Sequence, residues 1–445
     1  MEPNVLLIVC DTLRKDILGV YGGEAKTPNI ERLARESMVY DNCIAPSSWT
    51  LPSHVSMFTA MYPNEHRVHE TEELKVRELL GKSHELKAGK LPEFMQQRGY
   101  NTIGISNNLM ISKVSGFDEG FNIFLGLNPS PWFRSRIAIE ASKRGSTVGQ
   151  VIKDLVVSGN VMALFRYANE LVKMRPMLKA ANYPLNKGAR ATLEILMDSN
   201  LSSKFFLFIN FYELHEPYKG FNQKEYLDDL TGKKEIGGAR AAYLKSQYVS
   251  EAEYLDGYIG MLLSMLKERG LYDNTMIILT SDHGQGFKEH GFFSHGIYLY
   301  DELSRIPLII KYPKGKRYKK RNGYQSLVKI PELIRDVIDG RDDGAITEKR
   351  VFAETYGNQD DIDNIPKRYA NRVEDAKRRY GKARKAVYKE GFKLTVNGTD
   401  GTIEEFMKGG KNLSAKDPKN RKKLKELLQD IRKFKGGEEF RIPSL

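Results

Sequence analysis

Apolar residues in this chain fall into short continuous runs separated by stretches of helical period. The first run, VLLIV at residues 5–9, has no polar position on either side. A strand covered on both faces reads this way, because neither face meets water. Comparable runs lie at residues 101–106, 205–210, 275–280 and 307–311, and residues 39–45 read as a short strand. Between them, residues 30–37 read as a helix that starts after Pro28, residues 91–99 as a helix closed by Gly99, and residues 243–268 as a long amphipathic helix. This alternation predicts an α/β fold, a doubly wound, mainly parallel sheet with helices on both faces.

Two stretches break the pattern. Residues 128–200 show helical period at 148–157, 161–174 and 186–197 and no strong strand. They predict a helical insertion over one end of the sheet, either a lid or an added layer. Beyond Tyr312-Pro313, glycines and basic residues dominate, with short strands expected at 386–388 and 393–396 and a helix at 420–434. The expected division is an α/β domain over residues 1–313 and a small basic α+β subdomain over 314–445.

Composition refines this picture. Hydrophobic residues make up 40% and charged residues 29%, as in soluble globular proteins. The apolar run at the start is too short for a signal peptide or a membrane span, and no other run reaches the roughly 18 residues a span needs. Two cysteines, Cys10 and Cys43, give no disulfide framework. The expected location is the cytoplasm. The net charge of +13 is concentrated at 314–321, 367–389 and 416–435. It favours anionic small-molecule, glycan or lipid-headgroup substrates. The basic runs form either a solvated surface or a patch for peripheral membrane or polyanion contact. They match no nucleic-acid module, so specific nucleic-acid binding is not expected. Oligomeric state is not legible.

Coordinating residues collect at the predicted carboxyl ends of strands: Asp11, His215, and Asp282 with His283. Ligands bind at such ends in open α/β sheets. Six of the eight histidines (His54, His66, His215, His283, His290 and His295) lie in or just after these stretches. Two carboxylates and a histidine from separate strands suit a divalent metal, although each residue alone could simply cap a turn or helix. The stretch APSSWTLPSHVSMFTAMYP at 45–63 brings hydroxyls (Ser47, Ser48, Thr50, Ser53) to the mouth of a predicted helix. Such a hydroxyl is either a helix cap or a nucleophile facing an anion.

Several stretches together resemble the sulfatase branch of the alkaline-phosphatase superfamily. They are PNVLLIVCDTLRKD, KTPNIERLARES, TLPSHVSMFTAMYP, LPEFMQQRGYNTIGI followed by GFDEGF, FINFYELHEPY, and TSDHGQGFKEHG, with weaker likeness in KARKAVYKEGFKL and GKNLSAKDP. The resemblance covers residues 3–121 and 203–313 and implies a divalent metal and cleavage of a sulfate or phosphate ester. Sulfatases carry Cys-x-Pro-Ser-Arg, whose first residue becomes formylglycine. Here Thr50-Leu51-Pro52-Ser53-His54 fills that pattern, and formylglycine cannot be made from threonine. A threonine in this place resembles the superfamily's phosphodiesterases and phosphoglycol transferases, where the hydroxyl attacks phosphorus.

The resemblance implies Thr50 as nucleophile and metal ligand, with Asp11, Asp282 and His283 as the other ligands. It implies His215 as the group that binds ester oxygens or protonates the leaving group, and His295, Asn107 and His54 as substrate-side residues. His54 and His290 are also candidates for supporting the ligands, and His66 for a structural hydrogen bond. Thr12 stands where sulfatases have a second Asp, which tilts the metal toward Mn or Zn, with Ca or Mg as alternatives. Two-metal relatives use an Asp-x-x-x-His pair. The residue four before His215 is Phe211, so one ion is expected. The expected function is a metal-dependent phosphate monoester or diester hydrolase or transferase. The alternatives are a sulfatase without formylglycine, and a non-catalytic binder of an anionic glycan or lipid headgroup.

Overall fold

The computed structural model describes residues 2–69, 90–127, 185–315, 323–341, 346–357, 362, 365–434 and 440–443. The helices expected at 148–157 and 161–174 lie outside them. The one expected at 186–197 is present as Ala189–Asp198.

The strands of the described residues are β1 (Asn4–Cys10), β2 (Met38–Ile44), β3 (Asn101–Ser106), β4 (Ile123–Gly126), β5 (Phe205–Phe211), β6 (Thr275–Thr280), β7 (Gly286–Phe287), β8 (Phe293–Ser294), β9 (Arg305–Lys311), β10 (Gln325–Ser326), β11 (Arg350–Thr355), β12 (Arg384–Lys389), β13 (Phe392–Asn397), β14 (Ile403–Lys408) and β15 (Lys411–Asn412). Among those residues the main sheet has eight strands in the order β10-β2-β9-β6-β1-β5-β3-β4. β1 is central, parallel to β5 on one side and to β6 on the other. β9 runs antiparallel to both of its neighbours, β2 and β6.

The apolar run of β1 feeds two cores at once. Leu6, Ile8 and Cys10 pack on one face, with the long helix Gly238–Glu268 and the helix Ala189–Asp198. Val5, Leu7 and Val9 pack on the other, with Leu51, Val55, Met57 and Phe58 of the helix Thr50–Thr59. The same alternation holds in β5 and β6. Each fully buried side chain of this kind contributes about 1.5–3 kcal/mol. Asp11 follows the β1 run directly, and Asp282 and His283 follow β6 after Ser281.

The domain division differs from the expected one at residue 313. β10 pairs with β2 of the main sheet, and the helix Ile330–Ile338 packs into the same core as the Thr50 helix. The separate unit is the antiparallel sheet β11–β15 with the helix Arg421–Phe434 on it. β4 and the β7–β8 hairpin were not expected. They are too short to show a period.

Candidate active site

β1 and β6 deliver two carboxylates to one point. The Asp11 N–H donates to Phe211 O at 2.9 Å, which continues the ladder one residue beyond β1. Thr12 then turns the chain at φ 59°, an unusual conformation for a β-branched residue. The turn is held by Tyr248, whose hydroxyl donates to Thr12 O at 2.8 Å. It aims the Thr12 N–H at Asp282 Oδ1, 3.2 Å away. The His283 N–H donates to the same oxygen at 2.9 Å. The next residue must be glycine, because a Cβ on Gly284 would lie 1.9 Å from Glu302 O.

Asp11 Oδ1 and Asp282 Oδ2 are fully buried and have no hydrogen-bond partner among the described residues. A lone buried carboxylate oxygen costs about 1–3 kcal/mol. His283 Nε2 lies 3.4 Å from Asp282 Oδ2 and 4.0 Å from Asp11 Oδ1. The three side chains offer one ligand atom each within 4.8 Å of one another. Two orphaned carboxylate oxygens facing an imidazole nitrogen fit a divalent cation. Burial and the Asp282 charge push the Asp11 carboxyl well above its ordinary value. Asp282 is held below its ordinary value against burial by His283, His54 and its two N–H donors.

Thr50 opens the helix Thr50–Thr59, and Trp49 before it gives no side-chain cap to the first-turn N–H groups. Thr50 Oγ1 lies 3.3 Å from His283 Nε2. Of the other hydroxyls of this stretch, Ser53 Oγ is committed to Ser47 O at 2.9 Å.

Asn108 also enters the site. Its Nδ2 donates to Asp11 Oδ2 at 2.7 Å and lies 3.5 Å from Thr50 Oγ1. Asn107, the expected substrate contact, points the other way. It meets Thr192 Oγ1 at 3.4 Å and packs against Gly188, where a Cβ would come within 2.4 Å of the Asn107 side chain. Parity along β3 explains the swap. Ile103 and Ile105 face the core of the Ala189–Asp198 helix, so 107 does too, and 108 falls on the face of the Thr50 helix.

His54 is likewise not on the substrate side. It is fully buried. Its Nδ1 donates to Thr50 O at 2.9 Å, and Asn210 Nδ2 donates to its Nε2 at 3.2 Å. It braces the first turn of the helix Thr50–Thr59, 3.5 Å from Asp282. His290 is half exposed, pairs with Glu302 at 2.7 Å and stacks on Tyr300, away from the site. His66 makes the structural bond expected of it, to Ser56 Oγ at 3.0 Å.

His215 and His295 stand beside His283. The His283 and His295 rings are 4.6 Å apart, and the His295 and His215 rings 4.9 Å. Glu216 and Gln285, neither singled out in the sequence, tie them together: Gln285 bonds His295 Nδ1 at 2.7 Å and Glu216 at 3.0 Å. Burial presses the His295 imidazole down to about 3. Against burial, His215 and His295 hold Glu216 down at about 2. A cavity of about 690 Å³ opens elsewhere, between Arg305 and Tyr324 and the C-terminal sheet, and shares no residue with this cluster.

A family model described as Sulfatase matches residues 3–339. The chain belongs to the sulfatase family. Within that family it is 25% identical over 370 residues to an N-acetylglucosamine-6-O-sulfatase of Bacteroides thetaiotaomicron, covering 71% of this chain and 63% of that protein. It is 24% identical over 384 residues to an arylsulfatase of Clostridium perfringens, covering 76% and 75%. The chain thus spans less than two thirds of the length of the first relative. Among solved structures, a phosphonate monoester hydrolase of Agrobacterium radiobacter superposes with a TM-score of 0.63 at 15% identity, over 97% of this chain and 96% of that one. A 2-O GAG sulfatase superposes with a TM-score of 0.63 at 15% identity, over 98% and 93%. At that identity they establish the fold alone: the mixed α/β architecture with a large, mostly parallel sheet is shared with these structures.

Proposed function

We propose that this sulfatase-family chain is a divalent-metal-dependent hydrolase or transferase that cleaves a phosphate ester, mono- or diester, with Thr50 as the nucleophile. The observation that supports it best is the position of Thr50 Oγ1. It sits at a helix start, 3.3 Å from His283 Nε2, beside two carboxylates that each leave an oxygen without a partner. Asp11, Asp282, His283 and Thr50 would hold the ion. When bound, it supplies the positive charge that lowers the cost of ionising the Thr50 hydroxyl and neutralises the ester oxygens.

The rest falls to the chain's own groups. Thr50 Oγ forms a bond to phosphorus as the bond to the departing alcohol breaks, and the phosphothreonine is then released to water or a second alcohol. Asn108 Nδ2 can only donate, and it faces the space next to Thr50 where a negative oxygen develops. The first-turn N–H groups of the helix favour the same anion. His54 and Asn210 fix that turn from behind. His215 and His295 are the next groups the ester oxygens meet. With imidazole in the donor set and Thr12 in place of a further carboxylate, Mn or Zn is favoured over Ca or Mg.

A second reading, sulfuric ester hydrolysis, is favoured by the names of the relatives. Assaying the full chain against an aryl phosphate, a phosphodiester, a phosphonate monoester and an aryl sulfate, each with Mn, Zn, Ca and Mg, separates the two. Phosphorus esters turned over fastest, with loss of turnover in Thr50→Ala, support the proposal. An aryl sulfate turned over fastest by both proteins would sink it.

A further inference from the structure

We propose that the outward face of the helix Arg421–Phe434, with the β14–β15 hairpin beside it, is a docking surface for an anionic lipid bilayer. Two of the basic runs end in different states. In residues 367–389 the cations are largely paired. Lys382, Arg384 and Lys385 meet Asp400, Glu404 and Glu354 at 3.2, 2.6 and 3.2 Å. Lys377 and Arg378 pair with Glu374 and Asp375 of their own helix.

In residues 408–433 the pairing stops. Leu424, Leu427, Leu428 and Ile431 bury one face of the helix against the C-terminal sheet. Both acidic residues of the helix turn to strand cations. Glu426 meets Lys389 at 2.6 Å, and Asp430 meets Lys389 at 3.0 Å and also Arg350. Lys422, Lys425 and Lys433 are left on the exposed side, with Gln429 between them on the same stripe. They have no ion-pair partner among the described residues. The stripe runs about 16 Å along the helix axis.

Phe392 joins the hairpin to this helix. Lys408 lies 4.8 Å from its ring centre and Lys423 5.3 Å. Lys408 and Lys411 pair across the turn Gly409-Gly410, and both are exposed. The loop that carries Lys416 and Lys419 is tied to the start of the helix, where Asn420 Nδ2 donates to Ser414 O at 3.1 Å. The acidic groups of these segments are engaged. Glu390 meets Lys423 at 2.8 Å, and Asp417 accepts from the Lys419 N–H at 3.0 Å.

Three features point to a bilayer as the occupant. The cations are nearly all lysine, a hydrated point charge that suits a diffuse anionic field better than bidentate recognition of a single group. The outward face of a helix lying on a sheet is convex, with no walls to hold one polymer strand. Among the described residues of the C-terminal unit, no large apolar or aromatic side chain is exposed, so none is placed to stack on bases. Contact is therefore electrostatic, at the level of the headgroups. This goes beyond the proposed function and does not depend on it.

The test is sedimentation of the full chain with vesicles of phosphatidylcholine, with and without phosphatidylglycerol. The wild type should bind only vesicles that contain phosphatidylglycerol, and less as salt rises. Lys422→Gln/Lys425→Gln/Lys433→Gln should weaken binding about 10²-fold. Lys408→Gln/Lys411→Gln tests the same surface without touching the helix and should weaken it about tenfold or more. Lys377→Gln/Arg378→Gln/Lys382→Gln removes the same charge elsewhere and should stay within about threefold of the wild type. Circular dichroism checks the fold of each variant. Equal losses in the two triple variants would overturn the surface, as would a wild type that ignores phosphatidylglycerol. Dextran sulfate or single-stranded DNA bound more tightly than the vesicles at the same salt would also overturn it.

Discussion

Metal-free protein should be stabilised by removing a carboxylate from the candidate metal site. Asp11 and Asp282 lie side by side, fully buried, each with one oxygen lacking a partner. Asp11→Asn keeps the shape of the side chain and an oxygen to accept from Asn108. It also turns an amide donor toward the orphan oxygen of Asp282. Each unsatisfied buried acceptor costs about 1–3 kcal/mol. Part of that cost is already relieved in the wild type, because burial and Asp282 raise the Asp11 carboxyl. A net gain of about 1–3 kcal/mol in chelator follows. That is an upward shift in Tm of a few degrees, at roughly 2–4 °C per kcal/mol for a domain of 150–250 residues and less for a longer chain.

The sign reverses with metal. Ion at a hundredfold excess over its Kd adds about 2.7 kcal/mol to the wild type, and much less to the variant. The assay is thermal unfolding in EDTA and in manganese or zinc. The pH dependence has a definite sign. A folded-state pKa above the unfolded value of about 3.9 gives a contribution that is present below that value and lost as pH rises through the raised one. In EDTA the advantage of Asp11→Asn should therefore widen with pH. A variant less stable than the wild type in EDTA, or one with the full metal-induced shift, would refute the reasoning.

The remaining predictions separate neighbours. Asn108→Ala should lower kcat/KM by about 10²–10³, the cost of losing a donor to developing negative charge. Asn107→Ala, whose side chain meets Thr192 instead, should keep the rate within about threefold and cost only the roughly 1 kcal/mol of its hydrogen bond. Steady-state kinetics on both, with equal losses, would contradict the assignment. His66 is buried and pressed down to about 3 by burial and by His69. Its contribution is present above the unfolded value of about 6.5 and is lost as pH falls toward 3. Urea melts should show about 2 kcal/mol of stability lost between pH 7 and 5 that is missing from His66→Gln. Equal losses in both proteins would exclude His66 as the source.

Much of this site was legible because strand ends are where a run of apolar residues stops. Asp11 follows such a run directly, Asp282 and His283 follow one after Ser281, and Thr50 opens a helix that packs on the same sheet. Face was harder to read than position. Nothing in residues 101–108 says which side of the sheet the Thr50 helix covers, so Asn107 and Asn108 were indistinguishable until β3 was placed. His54 has the same origin: a histidine one helical turn beyond Thr50 reads as facing the cleft, and it faces the strand beneath. Gln285 ties His295 to Glu216, which lies 69 residues away from it in sequence, and no local pattern announces that link. The return of β10 to the main sheet rests on a two-residue strand, too short for any period to announce.

The central claim is that phosphate passes through Thr50. The direct measurement is acid quenching of the metal-loaded chain during turnover of an aryl phosphate, followed by mass spectrometry of the peptide that contains residues 45–63. Phosphate located on Thr50, accumulating within a turnover and absent from Thr50→Ala, is the predicted result. Continued turnover by Thr50→Ala, with no phosphate on the wild-type peptide at any quench time, would contradict it.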